Sequence, residues 1–271
     1  ASPAAAPAPE PTPVVLPSGV FGAAFVARDT PPENLSTSTV TTATLDLAGN
    51  TARISGSTQG GAGSSSFNTG PLASTGTWQT VTGNDQRVVA YGSGASRAVL
   101  SDGTTSRPMT AVTYGIWSSP NLSAPGTPTV AHAAAFGFPT PVTLLPVAGT
   151  ATYQGAALIQ GQSPGVAPSF STATVTLGVD WAAARIGGTI GDSRQVLPGA
   201  WQQMPGLTLQ NVAFSRNTGT FAGNATETVA RLGLTGQYGG QFFGTDGREV
   251  GGSFAVTNGA ASFIGAFGAS R

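Results

Sequence analysis

From Gly236 to Val256 the chain reads Gly-Gln-Tyr-Gly-Gly-Gln-Phe-Phe-Gly-Thr-Asp-Gly-Arg-Glu-Val-Gly-Gly-Ser-Phe-Ala-Val, and it closes on Phe263-Ile-Gly-Ala-Phe-Gly-Ala-Ser-Arg271. Aromatic side chains alternate here with glycine and small residues, a spacing that suits a pleated strand and not a helix. Thr245-Asp246-Gly247 interrupts the run as a turn. Glycines between bulky rings relieve crowding where strands close round a barrel. The end of this chain therefore predicts closing barrel strands.

The rest of the sequence has the same texture. Glycine (39) and proline (20) are abundant, Asp, Glu and Arg make up 8%, and every basic side chain is an arginine because lysine is absent. Thr, Ser, Ala and Val fill much of the remainder and no helical periodicity persists beyond a turn or two, which is an all-β composition. A length of 271 residues accommodates two ordinary domains, each with its own core. The absence of cysteine excludes a disulfide framework and any cysteine-based metal site. Net charge is zero and no basic patch recommends nucleic acid. No apolar run approaches the ~18 residues a membrane helix needs, and the strands are too rich in Gly and Ser for an outer-membrane barrel, so the expectation is a soluble protein.

Three segments follow. Residues 1–17 alternate proline with alanine and predict a disordered, polyproline-like tether, read as a stalk behind a signal peptide or lipidated cysteine absent from this sequence. Residues 18–145 carry short strands at Gly22–Val26, Val40–Leu47, Thr51–Ser57, Thr77–Val81, Arg87–Gly92, Ala98–Leu100 and Thr110–Trp117, separated by long Gly, Ser and Pro loops suited to ligand contact. Residues 146–271 change to tighter hairpins, with eight strands near 150–160, 171–179, 183–191, 207–215, 218–223, 231–244, 250–257 and 261–269. Val175, Leu177 and Val179 oppose Thr174, Thr176 and Gly178, one apolar face against one polar or small face. An eight-stranded barrel is filled by its own side chains and leaves little room for a large ligand. The run Thr42–Gly56 parallels Thr172–Gly188, each a strand that turns on Asn or Asp and returns through Ala-Arg-Ile, which either marks a repeat or is chance in a repetitive composition.

Catalysis finds little support. A Ser–His–acid triad would have to use the single histidine, His132; no nucleophile elbow is present, since Gly92-Ser-Gly-Ala-Ser96 is loop-like; and phosphate-cradling loops need a helix that the pattern does not supply. Acids such as Asp102 and Asp246 precede glycine in turns, which already explains them. His132, in Thr129-Val-Ala-His-Ala-Ala-Ala-Phe-Gly-Phe-Pro139, is either a hydrogen-bonded structural histidine or a haem-iron ligand with Phe136, Phe138, Tyr114 and Trp117 covering the porphyrin. Trp78, Tyr91, Tyr114 and Trp117 form either a binding surface or core. Trp181 is expected to plug a hairpin end. Arg53, Arg87, Arg97 and Arg107 either serve solubility or grip an anion such as a haem propionate.

The phrases Phe242-Phe-Gly244, Glu249-Val-Gly-Gly-Ser-Phe254 and Phe267-Gly-Ala-Ser-Arg271, with the opening Pro146-Val-Ala-Gly-Thr-Ala-Thr-Tyr-Gln-Gly155, resemble the closing and opening strands of the transferrin-binding-protein-B-like barrels of Gram-negative surface lipoproteins and haemophores of the hemophilin type. The resemblance implies an all-β fold, an N-terminal β handle domain followed by a C-terminal eight-stranded antiparallel β-barrel. It also implies a non-enzymatic, surface-anchored or secreted protein that captures an iron source for a TonB-dependent outer-membrane receptor. One handle–barrel unit argues against transferrin itself and favours haem or another small iron- or cofactor-like ligand held by the loops of residues 18–145. The alternative is a protein-binding module, an adhesin or receptor partner that holds a carrier protein and no small molecule. Membrane attachment would come only through a lipid anchor.

Overall fold

The computed structural model describes residues 19–22, 26–30, 34–48, 50–60, 63–80, 86–93, 96–101, 109–119, 130–163, 166–195 and 203–271. The expected tether, residues 1–17, lies outside them, as do Asp102 and Arg107 and the side chains of Trp78 and Arg87.

The described chain is β-structure apart from turns and two short 3-10 segments. The first sheet contains β1 (Gly19–Gly22), β2 (Val26–Thr30), β3 (Asn34–Ala48), β4 (Thr51–Gly60), β5 (Gly63–Asn68), β6 (Leu72–Thr80), β7 (Gln86–Ser93), β8 (Ser96–Ser101), β9 (Val112–Ser119) and β10 (Val130–Gly137). All pairings are antiparallel, in the order β1-β3-β2-β10-β9-β8-β7-β6-β4-β5. Both β1 and β2 lie between β3 and β10, and β3 also pairs with β4, so the sheet curls most of the way to closure. The expected N-terminal β handle domain is thus a ten-stranded, nearly closed sheet with its own core of Leu45, Ile54, Leu72, Tyr91, Leu100, Trp117 and Phe136.

The second sheet is the barrel. Its strands are β11 (Thr150–Ser163), β12 (Val166–Asp180), β13 (Arg185–Ile190), β14 (Arg194–Gln195), β15 (Leu207–Ala213), β16 (Thr220–Glu227), β17 (Thr235–Phe243), β18 (Glu249–Thr257) and β19 (Ser262–Ser270). Antiparallel pairing runs β11-β19-β18-β17-β16-β15-β13-β12, and β12 returns to β11 over a long register from Thr150↔Asp180 to Ser163↔Val166, closing eight strands. The two-residue β14 adds only a short pairing to β12. Val175, Leu177 and Val179 are buried while Thr174, Thr176 and Gly178 are exposed, as the alternation predicts. One end of the barrel is stoppered by rings. Trp181, in the β12–β13 turn, lies 4.9 Å from Phe242 and 5.6 Å from Phe214 by ring centroid, and Phe214 lies 5.1 Å from Phe242. Such edge and tilted contacts add to the area these rings remove from water. Trp181 thus plugs the hairpin end, as expected.

The two sheets are packed directly together. Along β18 the residues Val250, Phe254 and Val256 enter the barrel core, and along β19 so do Phe263 and Phe267. The opposite faces of these two strands, with Ala255, Ile264 and Ala266, join Val112, Tyr114, Ile116, Ala131, Ala133 and Ala135 of β9 and β10 in a separate core. Both faces of the closing strands are therefore buried, which is why Ser253 is the one polar side chain between their end residues.

Candidate functional site

The five residues named for a ligand site fall on or beside β9 and β10, and strand parity sends them different ways. On β10 Ala131, Ala133 and Ala135 face the barrel, and His132, Ala134 and Phe136 face the inside of the handle. His132 pairs in register with Trp117 of β9, and their rings stack at 5.3 Å between centroids with planes 10° apart. Phe136 lies 5.7 Å from the same indole. His132 is 2% exposed and Trp117 1%. An imidazole this buried would meet an iron only if the handle opened around it. Tyr114 faces the other way and is fully buried against the barrel. Phe138, just past the end of β10, is half-exposed. The structure thus brings together His132, Trp117 and Phe136, and separates Tyr114 and Phe138 from them.

Tyr91, Tyr114 and Trp117 are core residues. Arg53 and Arg97 are exposed, and the Arg97 guanidinium donates to the carbonyl of Ser96 at 2.8 Å. No arginine fork is assembled among the described residues.

Sequence reasoning missed the residue that sets how the handle sits. Glu249 opens β18 with its side chain on the handle-facing side, 2% exposed. One carboxylate oxygen accepts the backbone N–H of Thr110 at 2.7 Å and the Thr110 hydroxyl at 3.1 Å; the other accepts the N–H groups of Ala111 at 2.8 Å and Val112 at 3.0 Å. A buried carboxylate is tolerated only when donors replace its water, and here three consecutive backbone amides and a hydroxyl do so. The signal was present as the one charged residue in a strand of apolar, glycine and small hydroxyl residues. Two glycines then let the surfaces meet. A Cβ on Gly251 would lie 2.8 Å from both Ala135 Cβ and Val112 Cγ2, and one on Gly268 would lie 2.6 Å from two carbons of the Tyr114 ring. Beyond β10, Phe138 N–H donates to Ala111, Gly244 N–H to Phe138 and Thr140 N–H to Phe242, each at 2.9 Å. Handle and barrel are joined by carboxylate, close-packed and main-chain contacts at once, so surfaces contributed by both keep a fixed relation.

At the barrel end away from Trp181, a cleft of about 340 Å³ is bordered by Thr189, Asp192, Pro205, Thr228, Val229 and Arg231. Its rim is held in shape by carboxylates. Asp192 accepts Gly206 N–H at 2.7 Å and pairs with Arg231 at 3.3 Å. Glu227 accepts the backbone N–H groups of Arg231, Leu232, Gly233 and Leu234. Its partial burial pushes the carboxyl pKa up, and those four donors together outweigh that and hold it below the ordinary value.

Comparison with known proteins gives a consistent result. Residues 145–271 match the family model described as the C-lobe and N-lobe beta barrels of Tf-binding protein B. No curated protein sequence matches the chain. Among solved structures, intact Ap-TbpB with N and C lobes is 12% identical, with 94% of this chain and 77% of that one covered at a TM-score of 0.49. A transferrin-binding protein B from Haemophilus parasuis is 14% identical, covering 87% and 62% at 0.49, and one from serogroup B Neisseria meningitidis is 12% identical, covering 88% and 60% at 0.46. The chain thus spans about three-fifths of the length of the latter two. The described chain is β throughout, and its closed eight-stranded barrel is the part the family model matches. On the family match and this architecture, residues 145–271 form a β-barrel of the transferrin-binding-protein-B type.

Proposed function

We propose that the protein captures an iron source at the surface of a Gram-negative bacterium by binding a carrier protein, and delivers it to a TonB-dependent outer-membrane receptor. The observation that carries this reading is the junction built by Glu249, Gly251 and Gly268, which holds the handle at a set position on the barrel wall. A fixed pair of β bodies presents a broad, preorganised surface, and preorganisation lowers the ordering cost of binding a large partner. The family's own name refers to transferrin, which makes transferrin and its relative lactoferrin the first probes. Biolayer interferometry of the immobilised protein against iron-loaded transferrin and lactoferrin tests the proposal: saturable one-to-one binding to an iron carrier supports it, and no response to any iron-carrying protein overturns it.

A second reading is favoured by one feature, the buried imidazole of His132 stacked on Trp117 beside Phe136. These are side chains that haem-binding sites use, and they are gathered on the inner face of the handle, apart from Tyr114 and Phe138. In this reading the handle opens to admit haem, with His132 as the iron ligand. A visible absorption shift on adding haem, abolished in His132→Ala, supports it; an unshifted spectrum removes it.

A further inference from the structure

The chain that joins the two sheets carries an unusual exposure. Among the described residues, the exposed large hydrophobic side chains are Phe138 at 50%, Val142 at 41%, Leu144 at 49%, Val147 at 76% and Val229 at 63%. Four of these five fall within ten consecutive residues, between β10 and β11. Scattered exposed apolar residues need no explanation, but a cluster marks a contact surface.

This segment lies as a strap across the stoppered end of the barrel. Its first part is fixed by the hydrogen bonds from Gly244 to Phe138 and from Thr140 to Phe242. Its middle is fixed by Leu145, which is buried against Gly219 and Gly247, and its end by the bond from Trp181 N–H to Gly149 at 2.9 Å. Pro139, Pro141 and Pro146 restrict its backbone further. With Leu145 turned inward and the main chain held at both ends, Phe138, Val142, Leu144 and Val147 stay outside.

The same end gathers arginines. Arg185, Arg216, Arg248 and Arg271 are all exposed there. Arg216 reaches the Trp181 carbonyl and the strap carbonyl of Pro146, and Arg185 donates to Asn211. Among the described residues the exposed acids at this end are Asp180, which accepts Ala183 N–H, and Asp246, shared by Arg271 at 3.0 Å and Arg248 at 3.7 Å. Glu249 is adjacent in sequence, but its carboxylate is turned into the handle junction. Among the described residues, four exposed arginines against two exposed acids make this end cationic in a chain whose net charge is zero.

We propose that this end of the molecule seats on an anionic phospholipid bilayer, with Phe138, Val142, Leu144 and Val147 entering the interfacial layer and the arginines meeting headgroup phosphates. Apolar side chains beside a cationic rim are the combination that holds peripheral proteins at a charged bilayer. The aliphatic make-up of the strap favours lipid over a protein partner, because protein hot spots are rich in Trp, Tyr and Arg, and Leu and Val are under-represented in them.

Cosedimentation of the protein with vesicles of phosphatidylcholine alone, and of phosphatidylcholine mixed with phosphatidylglycerol, tests this. Binding should appear on the mixed vesicles, weaken as salt is raised, and fall by about tenfold in the Leu144→Ser/Val147→Ser double variant. These side chains are already in water, so the variant should keep its melting temperature and provide its own folding control. Arg248→Gln should weaken binding to the mixed vesicles only. No partition of the native protein onto the mixed vesicles, or equal partition of the double variant, overturns the proposal. So does a native protein that ignores vesicles and forms a dimer that Leu144→Ser/Val147→Ser disrupts, which would assign the strap to a second copy of the chain.

Discussion

The Glu249 carboxylate stands 2.8 Å from the backbone nitrogen of Ala111, across 138 residues of sequence and from the wall of one sheet to the start of an inner strand of the other. The contact is long-range and buried, so losing it leaves donors stranded in an apolar junction. Glu249→Ala should destabilise the protein by about 3 kcal/mol, because the amides of Ala111 and Val112 lose their acceptor where water has little access. Glu249→Gln should fall between, since it keeps one acceptor oxygen and sets an NH2 against donors. Urea denaturation followed by probes in each sheet is the measurement. The account expects the coincident transitions of the native protein to separate in Glu249→Ala.

Gly251 tests the same junction by volume instead of charge. A valine there would overlap Ala135 and Val112, which belong to two strands already packed against the barrel. Gly251→Val should cost about 1–3 kcal/mol through overpacking, and should raise hydrogen exchange along β9 and β10 more than along β11 and β12. An unchanged exchange pattern would mean the handle does not press on the barrel wall at this point.

Much of the barrel could be read from the chain alone, for a physical reason. Val175, Leu177 and Val179 alternate with polar or small residues because only one face of β12 is buried there, and a half-buried strand writes its period into the sequence. The reading failed on β10. Ala-His-Ala-Ala-Ala-Phe shows no alternation because Ala131, Ala133 and Ala135 meet the barrel while His132, Ala134 and Phe136 fill the handle, so both faces are apolar. The glycines near the end were read as relief from crowding within the barrel. At Gly251 and Gly268 the relief is instead for the handle packed outside it. Glu249 stands out in the sequence as a lone acid in a strand, but its partners could not be assigned because three of its four donors are main-chain amides, which have no sequence signature.

The loop after β16 should respond to acid. Glu227 is held below its ordinary pKa of 4.5 in the folded protein. A depressed folded value means the carboxylate's contribution is complete above about pH 4.5 and is lost as pH falls through the lower, folded value. Because the group is largely solvent-facing, the effect should be local and salt-screened. Amide exchange at Leu232 and Leu234 should accelerate, relative to the intrinsic rate, on acidification below that range, and Glu227→Gln should remove most of the pH dependence.

Alkali addresses the barrel interior. Tyr153 and Tyr238 have phenols pushed well above the ordinary value of 10.0 by burial, with the Tyr153 hydroxyl donating to Gly247 and that of Tyr238 to Gln210. A raised folded value means the folded state keeps its protons while the unfolded chain ionises, so stability holds below about pH 10 and declines above it. Spectrophotometric titration should show these two tyrosines ionising only together with unfolding. A smooth titration of all four tyrosines in the folded state would contradict the burial of their hydroxyls.

The functional account rests on recognition of a carrier protein by a rigid handle–barrel surface, with His132 serving the handle core. The most direct measurement is interferometry of the native protein and His132→Ala against iron-loaded carrier proteins, run beside a haem titration of the same two samples. The account predicts one-to-one carrier binding of nearly equal strength in both proteins. No carrier binding, together with a haem spectrum that appears in the native protein and vanishes in His132→Ala, would contradict it.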